Sequence, residues 1–267
     1  MRKILPKILT CALAALLAGA PAAMRAQTGN AEAQKNADQA RAALNAMVQA
    51  LGGQLWLNIR NVETAGHFAA FFQGNPDLGT TEYFDYHQWP DRDRVEITKH
   101  RDDVLFYIGR QGWEVTFRGK KALPKDQVDD FLRRRDHSIE TAVKVWMKDP
   151  RTILIYEGSH LVERHLGVQV SLISVGNQGI TIVMDNDTHL PLREEFQWRD
   201  PVYHDKDDEA IEYDDYHTID GFPTPFTITL IKNGETVQQR YVTQVKYNQS
   251  LPADFWDPDA AARRIKR

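Results

Sequence analysis

Ile180-Thr-Ile-Val-Met184, Asp185-Asn-Asp-Thr-His189 and Leu190-Pro-Leu-Arg-Glu-Glu-Phe-Gln-Trp198 are the residues whose reading decides the fold class. The first run is rich in β-branched residues, which fit a pleated strand. The second offers turn chemistry, since Asp and Asn side chains bond their own backbone and tolerate left-handed conformations. In the third, Leu192, Glu194, Phe196 and Trp198 alternate with Arg193, Glu195, Gln197 and Arg199, the period-2 signature of a strand with two unlike faces. The stretch therefore reads as a β-hairpin. On this spacing Glu194 and Glu195 point to opposite faces and cannot act as a carboxylate pair.

The same pattern extends outward on both sides. Upstream lie Ile153–Tyr156 and Val168–Ile173; downstream lie Glu209–Ile219, Phe226–Ile231, a tight Asn233-Gly234 turn and Val237–Tyr247. Asn-Gly between two alternating runs is a strong short-range hairpin signal. Nearer the start, Trp56–Ile59 leads into Ala65–Phe72, with a turn over Gly74–Asp77. Thr80–Trp89, Arg94–Thr98, Val104–Ile108 and Trp113–Phe117 follow. Turns at such regular spacing argue for an antiparallel meander.

Two stretches switch to helical period. Ala33, Ala37, Ala40, Leu44, Met47, Val48 and Leu51 form one apolar stripe over Ala31–Leu51, closed by Gly52-Gly53. Val128, Phe131, Leu132, Ile139, Val143 and Met147 form another across an insert over 124–149, with a break near Asp136–Ser138. The expectation is a mainly β (α+β) fold, a curved antiparallel sheet or incomplete β-barrel of roughly a dozen strands covered by helices, since so wide a sheet must curl, close or be covered. Residues 27–258 read as a single domain. The tail, 259–267, is basic and has no apolar pattern.

Residues 1–26 are read separately. Arg2, Lys3 and Lys7 precede an apolar run, Ile8–Ala20, and Ala20-Pro-Ala22 or Met24-Arg-Ala26 supplies a small-residue cleavage site. That is the pattern of a secretory signal peptide. Its removal takes away four positive charges (Arg2, Lys3, Lys7, Arg25), so the formal charge goes from −4 to −8, and it takes away Cys11, the single cysteine. Ile8–Thr10 makes a poor lipid-anchor motif before that cysteine. The expected mature protein is thus periplasmic, acidic and free of thiol chemistry, which disfavours nucleic acid as a partner.

The catalytic and metal motifs sought are absent from the sequence. His160-Leu-Val-Glu163-Arg-His165 is one residue too long for H-x-x-E-H, and, read as a strand, would set Glu163 and His165 on one face with His160 on the other. Asp185, Asp187 and the polar 205–209 run lack calcium-loop spacing and read as turn and loop. Ser159 has no nucleophile elbow around it. Glu82 with Asp85, or Glu212 with Asp214, could share a site, but nothing local places them in a cleft. No cofactor and no structural metal is expected.

Several motifs in order resemble those of the LolA/LolB-like family of bacterial periplasmic lipoprotein carriers. They are Trp89-Pro90-Asp91-Arg92-Asp93-Arg94-Val95-Glu96, the Asp185-x-x-Thr188-x-Leu190-Pro191 turn, Asp220-Gly221-Phe222-Pro223, and Tyr247-Asn248 with Leu251-Pro252-x-x-Phe255-x-x-Pro258. The resemblance implies an incomplete barrel with a helical lid, and acyl chains bound between sheet and helices. Those carriers have an Arg before the early-strand Pro, where this chain has Trp89, with Arg92 and Arg94 nearby. The residues expected to line an acyl pocket are Trp56, Phe72, Trp89, Phe106, Met184, Phe196, Phe226 and Ile228. The expected partners are a lipid or the acyl chains of a lipoprotein, with envelope proteins or the membrane surface beside them, and the expected state is a monomer. Two other functions remain open: an interaction module whose barrel is filled by its own side chains, and a hydrolase with convergent carboxylates.

Overall fold

The computed structural model describes residues 20–201 and 203–265, with side chains from Asn30 onward except that of Leu78. The deciding hairpin forms as β9 (Gly179–Asp185) and β10 (Pro191–Arg199). Its turn is held by the Asp185 carboxylate, which accepts from Thr188 N at 2.7 Å, Asp187 N at 3.1 Å and Thr188 Oγ1 at 2.9 Å. Alternation along β10 is broken at Leu192, where the register shifts between Pro191 and Arg193. A bulge adds one residue to one strand and so re-aims its neighbours. Leu192 therefore packs with Val162 and Val183, away from the face that Glu194 occupies.

The remaining strands are β1 (Asn61–Phe72), β2 (Asn75–Gln88), β3 (Arg92–Ile97), β4 (Asp103–Ile108), β5 (Gln111–Thr116), β6 (Gly119–Ala122), β7 (Ile153–Val162), β8 (His165–Ile173), β11 (Lys206–Ile219), β12 (Phe222–Lys232) and β13 (Glu235–Tyr247). All pair antiparallel in one sheet of order β6-β5-β4-β3-β2-β1-β13-β12-β11-β10-β9-β8-β7. Among the described residues β6 and β7 do not pair, so the sheet is unclosed. At the β1–β13 seam the register shifts at Gly66, where a Cβ would lie 2.1 Å from Tyr241 O. Only glycine allows that approach.

Among the described residues there are five helices: α1 (Ala20–Ala50), α2 (Gln54–Leu57), α3 (Lys125–Asp136), α4 (Ile139–Lys144) and α5 (Pro258–Ile265), with a 3₁₀ turn at Trp146–Lys148. α1 ends as its glycines predict, with Gly52 at φ 121° and Gly53 N donating to Val48 O at 2.8 Å. The leader expected over 1–26 lies outside the described residues up to 19; Ala20–Ala26 form the start of α1.

Each helix is placed by its apolar face. Leu44, Met47 and Val48 of α1, with Ile139, Ala142, Val143 and Trp146 of the insert, cover Leu154, Val170, Leu172, Ile180, Ile182 and Met184 of β7–β9. Val128 and Leu132 of α3 pack on Tyr107 at the other end of the sheet, where Phe131 stacks on the Tyr107 ring at 3.7 Å. α5 lies on the opposite face of β4 and β5, with Ala261 against Val104, Phe106 and Val115. The concave-side helices thus rest on both flanks of the sheet and bridge its central strands.

The structure departs from the sequence pattern at the tail, at Glu163 and at Glu209. The tail read as patternless forms α5 as far as Ile265, and its small apolar face of Ala261, Ala262 and Ile265 docks on the sheet. Glu163 and His165 do not share a strand face, because Glu163, at φ 49°, sits in the β7–β8 turn. Glu209, read as part of a polar loop, is 0 % exposed. It pairs with Arg134 at 3.0 Å and with Lys232 at 3.4 Å.

Candidate functional site

Between the central strands and the bridging helices lies a cavity of about 450 Å³. Leu51, Trp56 and Ile59 wall it from the end of α1 and from α2. Val62, Pro191, Ile211, Pro223, Ile228, Val242 and Val245 line it from the strands, making most of the sheet side apolar. Tyr213 and Tyr216, three residues apart in β11, both reach it, because Asp215 at φ 54° interrupts the alternation between them.

The polar part of the wall is an ion ladder between the sheet and the α3–α4 segment. Asp93 and His87 are directly opposed on β3 and β2. Arg135 Nη1 donates to Asp93 Oδ2 at 3.1 Å, Asp93 Oδ1 lies 2.6 Å from His87 Nδ1, and His87 Nε2 lies 3.0 Å from Glu140 Oε2. Lys144 Nζ completes the ladder, 2.5 Å from Glu140 Oε1. Burial works against a charged His87, but hydrogen bonds to Asp93 and Glu140 prevail and raise it to about 10. The imidazole is therefore a cation at neutral pH, held between two carboxylates. Burial likewise opposes the Glu140 charge, and His87 and Lys144 overrule it, holding that carboxyl below the usual range.

Two further carboxylates reach the cavity. Burial raises Asp85 above the ordinary range although Arg240 Nη1 lies 3.0 Å away. Glu194 is 2 % exposed. Its Oε2 accepts from Ile139 N, in the first turn of α4, at 2.7 Å. Burial raises it to about 7, against the hydrogen bonds from Ile139 and Tyr213. Glu195, its neighbour, lies on the other face beside Arg193, as the alternation predicts.

Of the residues expected at the pocket, Trp56 and Ile228 line the cavity. The other six are not among its lining residues. Phe72 is 72 % exposed at the end of β1, beyond the span of the helices. Phe226 packs on the exposed His217 ring at 4.5 Å. Phe106 is fully buried under α5 on the opposite face of the sheet, because its neighbour Tyr107 takes the α3 side. Met184 is in the packed core beneath α1. Phe196 is stacked on His137 at 4.5 Å, filling the space below the α3–α4 break. Trp89 covers Lys144 Nζ at 4.9 Å at the outer end of the ladder.

Nor does either sequence neighbour of Trp89 supply a cavity guanidinium. Arg92 is exposed, and Arg94 faces α5, where it pairs with Glu96 at 2.6 Å and donates to Phe255 O at 2.7 Å. The cavity guanidiniums are Arg134 and Arg135 of α3, residues the sequence did not single out. Glu82 and Glu212 do not line the cavity; Glu212 pairs with Arg193 at 2.7 Å. Among the described residues, no group of three or more His, Cys, Asp or Glu side chains is arranged to hold a metal ion. No described helix is long and apolar enough to cross a membrane.

Compared by sequence, the chain matches no protein-family profile and no curated protein. By structure it is similar to a DUF1329 family protein from Desulfovibrio piger, at TM-score 0.57 and 11 % identity, over 83 % of this chain and 98 % of that one. It is similar to a LolA superfamily protein from Nitrosomonas europaea at TM-score 0.52 and 15 % identity, over 81 % and 96 % of the two chains. A third likeness is to a domain named for outer-membrane lipoprotein sorting, from Vibrio parahaemolyticus, at TM-score 0.54 and 9 % identity, over 86 % and 100 %. The fold is LolA-like. At these identities the likeness concerns architecture alone.

Proposed function

We propose that the protein is an exported, periplasmic, non-enzymatic binding protein that holds an acyl chain of a lipid or lipoprotein in the cavity between sheet and helices. The observation that carries this reading is the cavity of about 450 Å³, walled on the sheet side mainly by aliphatic, aromatic and proline side chains and left unfilled by them. That volume lies within the range of small-molecule sites. Burial of each methylene is worth about 0.8 kcal/mol, so about ten of them supply about 8 kcal/mol, micromolar affinity before the costs of association. Such affinity permits both carriage and release. The reading of an interaction module with a filled barrel requires the opposite of this unfilled space.

A hydrolase is the second reading, favoured by the convergence of Asp85, Asp93, Glu140 and Glu194 on the cavity and by the raised carboxyl of Glu194. General acids are tuned upward in this way. Against it, Asp85, Asp93 and Glu140 are tied to Arg240, Arg135, His87 and Lys144. Native mass spectrometry of protein purified from its own envelope separates the readings. A co-purifying lipid of intact mass is expected; protein carrying no lipid under conditions that preserve complexes overturns the carrier reading. Turnover of ester or glycoside substrates, abolished by Glu194→Gln, establishes the hydrolase instead.

A further inference from the structure

The polar wall of the cavity is unevenly supplied with hydrogen-bonding capacity. Its cations already face carboxylates. Arg135 donates to Asp93, to Asp91 O and to Gly109 O. Arg134 donates to Asp130 at 2.8 Å and to Glu209 at 3.0 Å. Both ring nitrogens of His87 face carboxylates. An anionic group entering the cavity would compete with these carboxylates for the cations. Glu194 differs from the other three acids in the wall: it accepts from the Ile139 N–H and the Tyr213 hydroxyl, neither of them a cation. A carboxyl group can accept up to about four hydrogen bonds, so two such donors leave it with acceptor capacity. It lies between the apolar floor of β11–β12 and the first turn of α4.

We propose that Glu194 makes this cavity selective for amphiphiles whose polar end donates hydrogen bonds, a hydroxyl or an amine, over amphiphilic carboxylates and phosphates. The inference rests on the acyl-binding reading and adds the headgroup to it. A donor group approaching Glu194 finds a buried acceptor, and a polar group left unmatched beside it is heavily penalised. A carboxylate or phosphate meets the Glu194 charge instead, and like charges close together in a low-dielectric site repel.

The test is displacement of the neutral fluorophore N-phenyl-1-naphthylamine by dodecanol, dodecylamine, dodecanoate and dodecyl phosphate. It is run at pH 8, with each compound below its own micelle concentration. The expected result is that dodecanol and dodecylamine displace the probe at concentrations about tenfold lower than the two anions, a difference typical of one well-made polar contact. Dodecanol matters because, being neutral, it separates the local contact from attraction of the amine to an acidic protein. In Glu194→Gln the gap between dodecanol and dodecanoate is expected to shrink to about threefold or less, since the like-charge neighbour of the anion is gone. Glu195→Gln, which changes the same charge on the opposite face, should keep the wild-type order. Circular dichroism verifies that both variants fold.

Equal displacement by dodecanol and dodecanoate in the wild type overturns the proposal and leaves acyl binding standing. So does an effect of Glu195→Gln as large as that of Glu194→Gln. Failure of the wild type to bind the probe or any of the four compounds overturns the acyl-binding reading and this inference with it.

Discussion

Replacing Glu194 by Gln is expected to stabilise the protein at pH 8 and to leave it nearly unchanged at pH 4. Burial raises the Glu194 carboxyl from 4.5 to about 7, against its two hydrogen-bond donors. The folded state therefore holds this proton over a pH range in which the unfolded chain has released it. Stability linked to such a group is fully present below the unfolded pKa, falls as pH rises from 4.5 to about 7, and levels off above. At 1.36 kcal/mol per unit, the total loss is on the order of 3 kcal/mol. Gln keeps an acceptor for Ile139 N and has no charge to desolvate, so the variant escapes the loss. In a protein of this size the difference corresponds to about 6–12 °C in Tm. Urea denaturation of both proteins at intervals between pH 4 and pH 8 is the assay, with the difference in unfolding free energy plotted against pH. His87, raised to about 10, adds a separate loss of stability as pH climbs from 6.5 toward 10, and it cancels in the comparison. A difference that is flat across this range, or that opens on the acid side, refutes the placement of Glu194 as a buried acid without a cation.

Other perturbations follow from packing. Phe106→Ala should lower stability by about 3–5 kcal/mol, because a fully buried ring under α5 is lost and a cavity is left. Phe72→Ala, at a side chain 72 % exposed, should change it by less than about 0.5 kcal/mol in the same denaturation assay. Glu209→Ala leaves Arg134 and Lys232 facing a space that held a fully buried carboxylate, and is expected to destabilise by about 3–5 kcal/mol. Arg134 and Glu209 are in direct contact, so the double variant Glu209→Ala/Arg134→Ala should lose less than the sum of the two single losses in a double-mutant cycle.

The sheet and its two helical interruptions were legible because hydrophobic period, Asn233-Gly234 and the Gly52-Gly53 stop are local signals. The face of Glu194 was legible for the same reason. Leu192 was assigned to the wrong face, since a bulge depends on the register with β9 and leaves no mark in the residue pattern. α5 was missed because its buried stripe is made largely of alanines, which carry little hydrophobic signal beside Arg263 and Arg264. Six of the eight residues expected at a pocket do not line this cavity, for a related reason. Alternation shows that a side chain has a face, while the coverage of that face is set by helices distant in sequence. Phe106 and Tyr107 are adjacent, yet one faces α5 and the other α3. The ion ladder is less legible still. His87 and Asp93 stand opposite one another across β2 and β3, but their partners Glu140 and Arg135 come from the insert more than forty positions along the chain.

The central claim is that the cavity itself, rather than an apolar patch on the surface, takes the acyl chain. Ile228→Trp tests it most directly, because Ile228 lies on the cavity floor and a Trp there occupies the space a chain needs. Lipid-stripped, refolded wild-type protein and the variant are titrated side by side with a fluorescent fatty alcohol below its micelle concentration. Saturable binding at one probe per wild-type chain is expected, with affinity lowered about tenfold or more in the folded variant. Binding of equal strength by both proteins, or no saturable binding by the wild type, contradicts it.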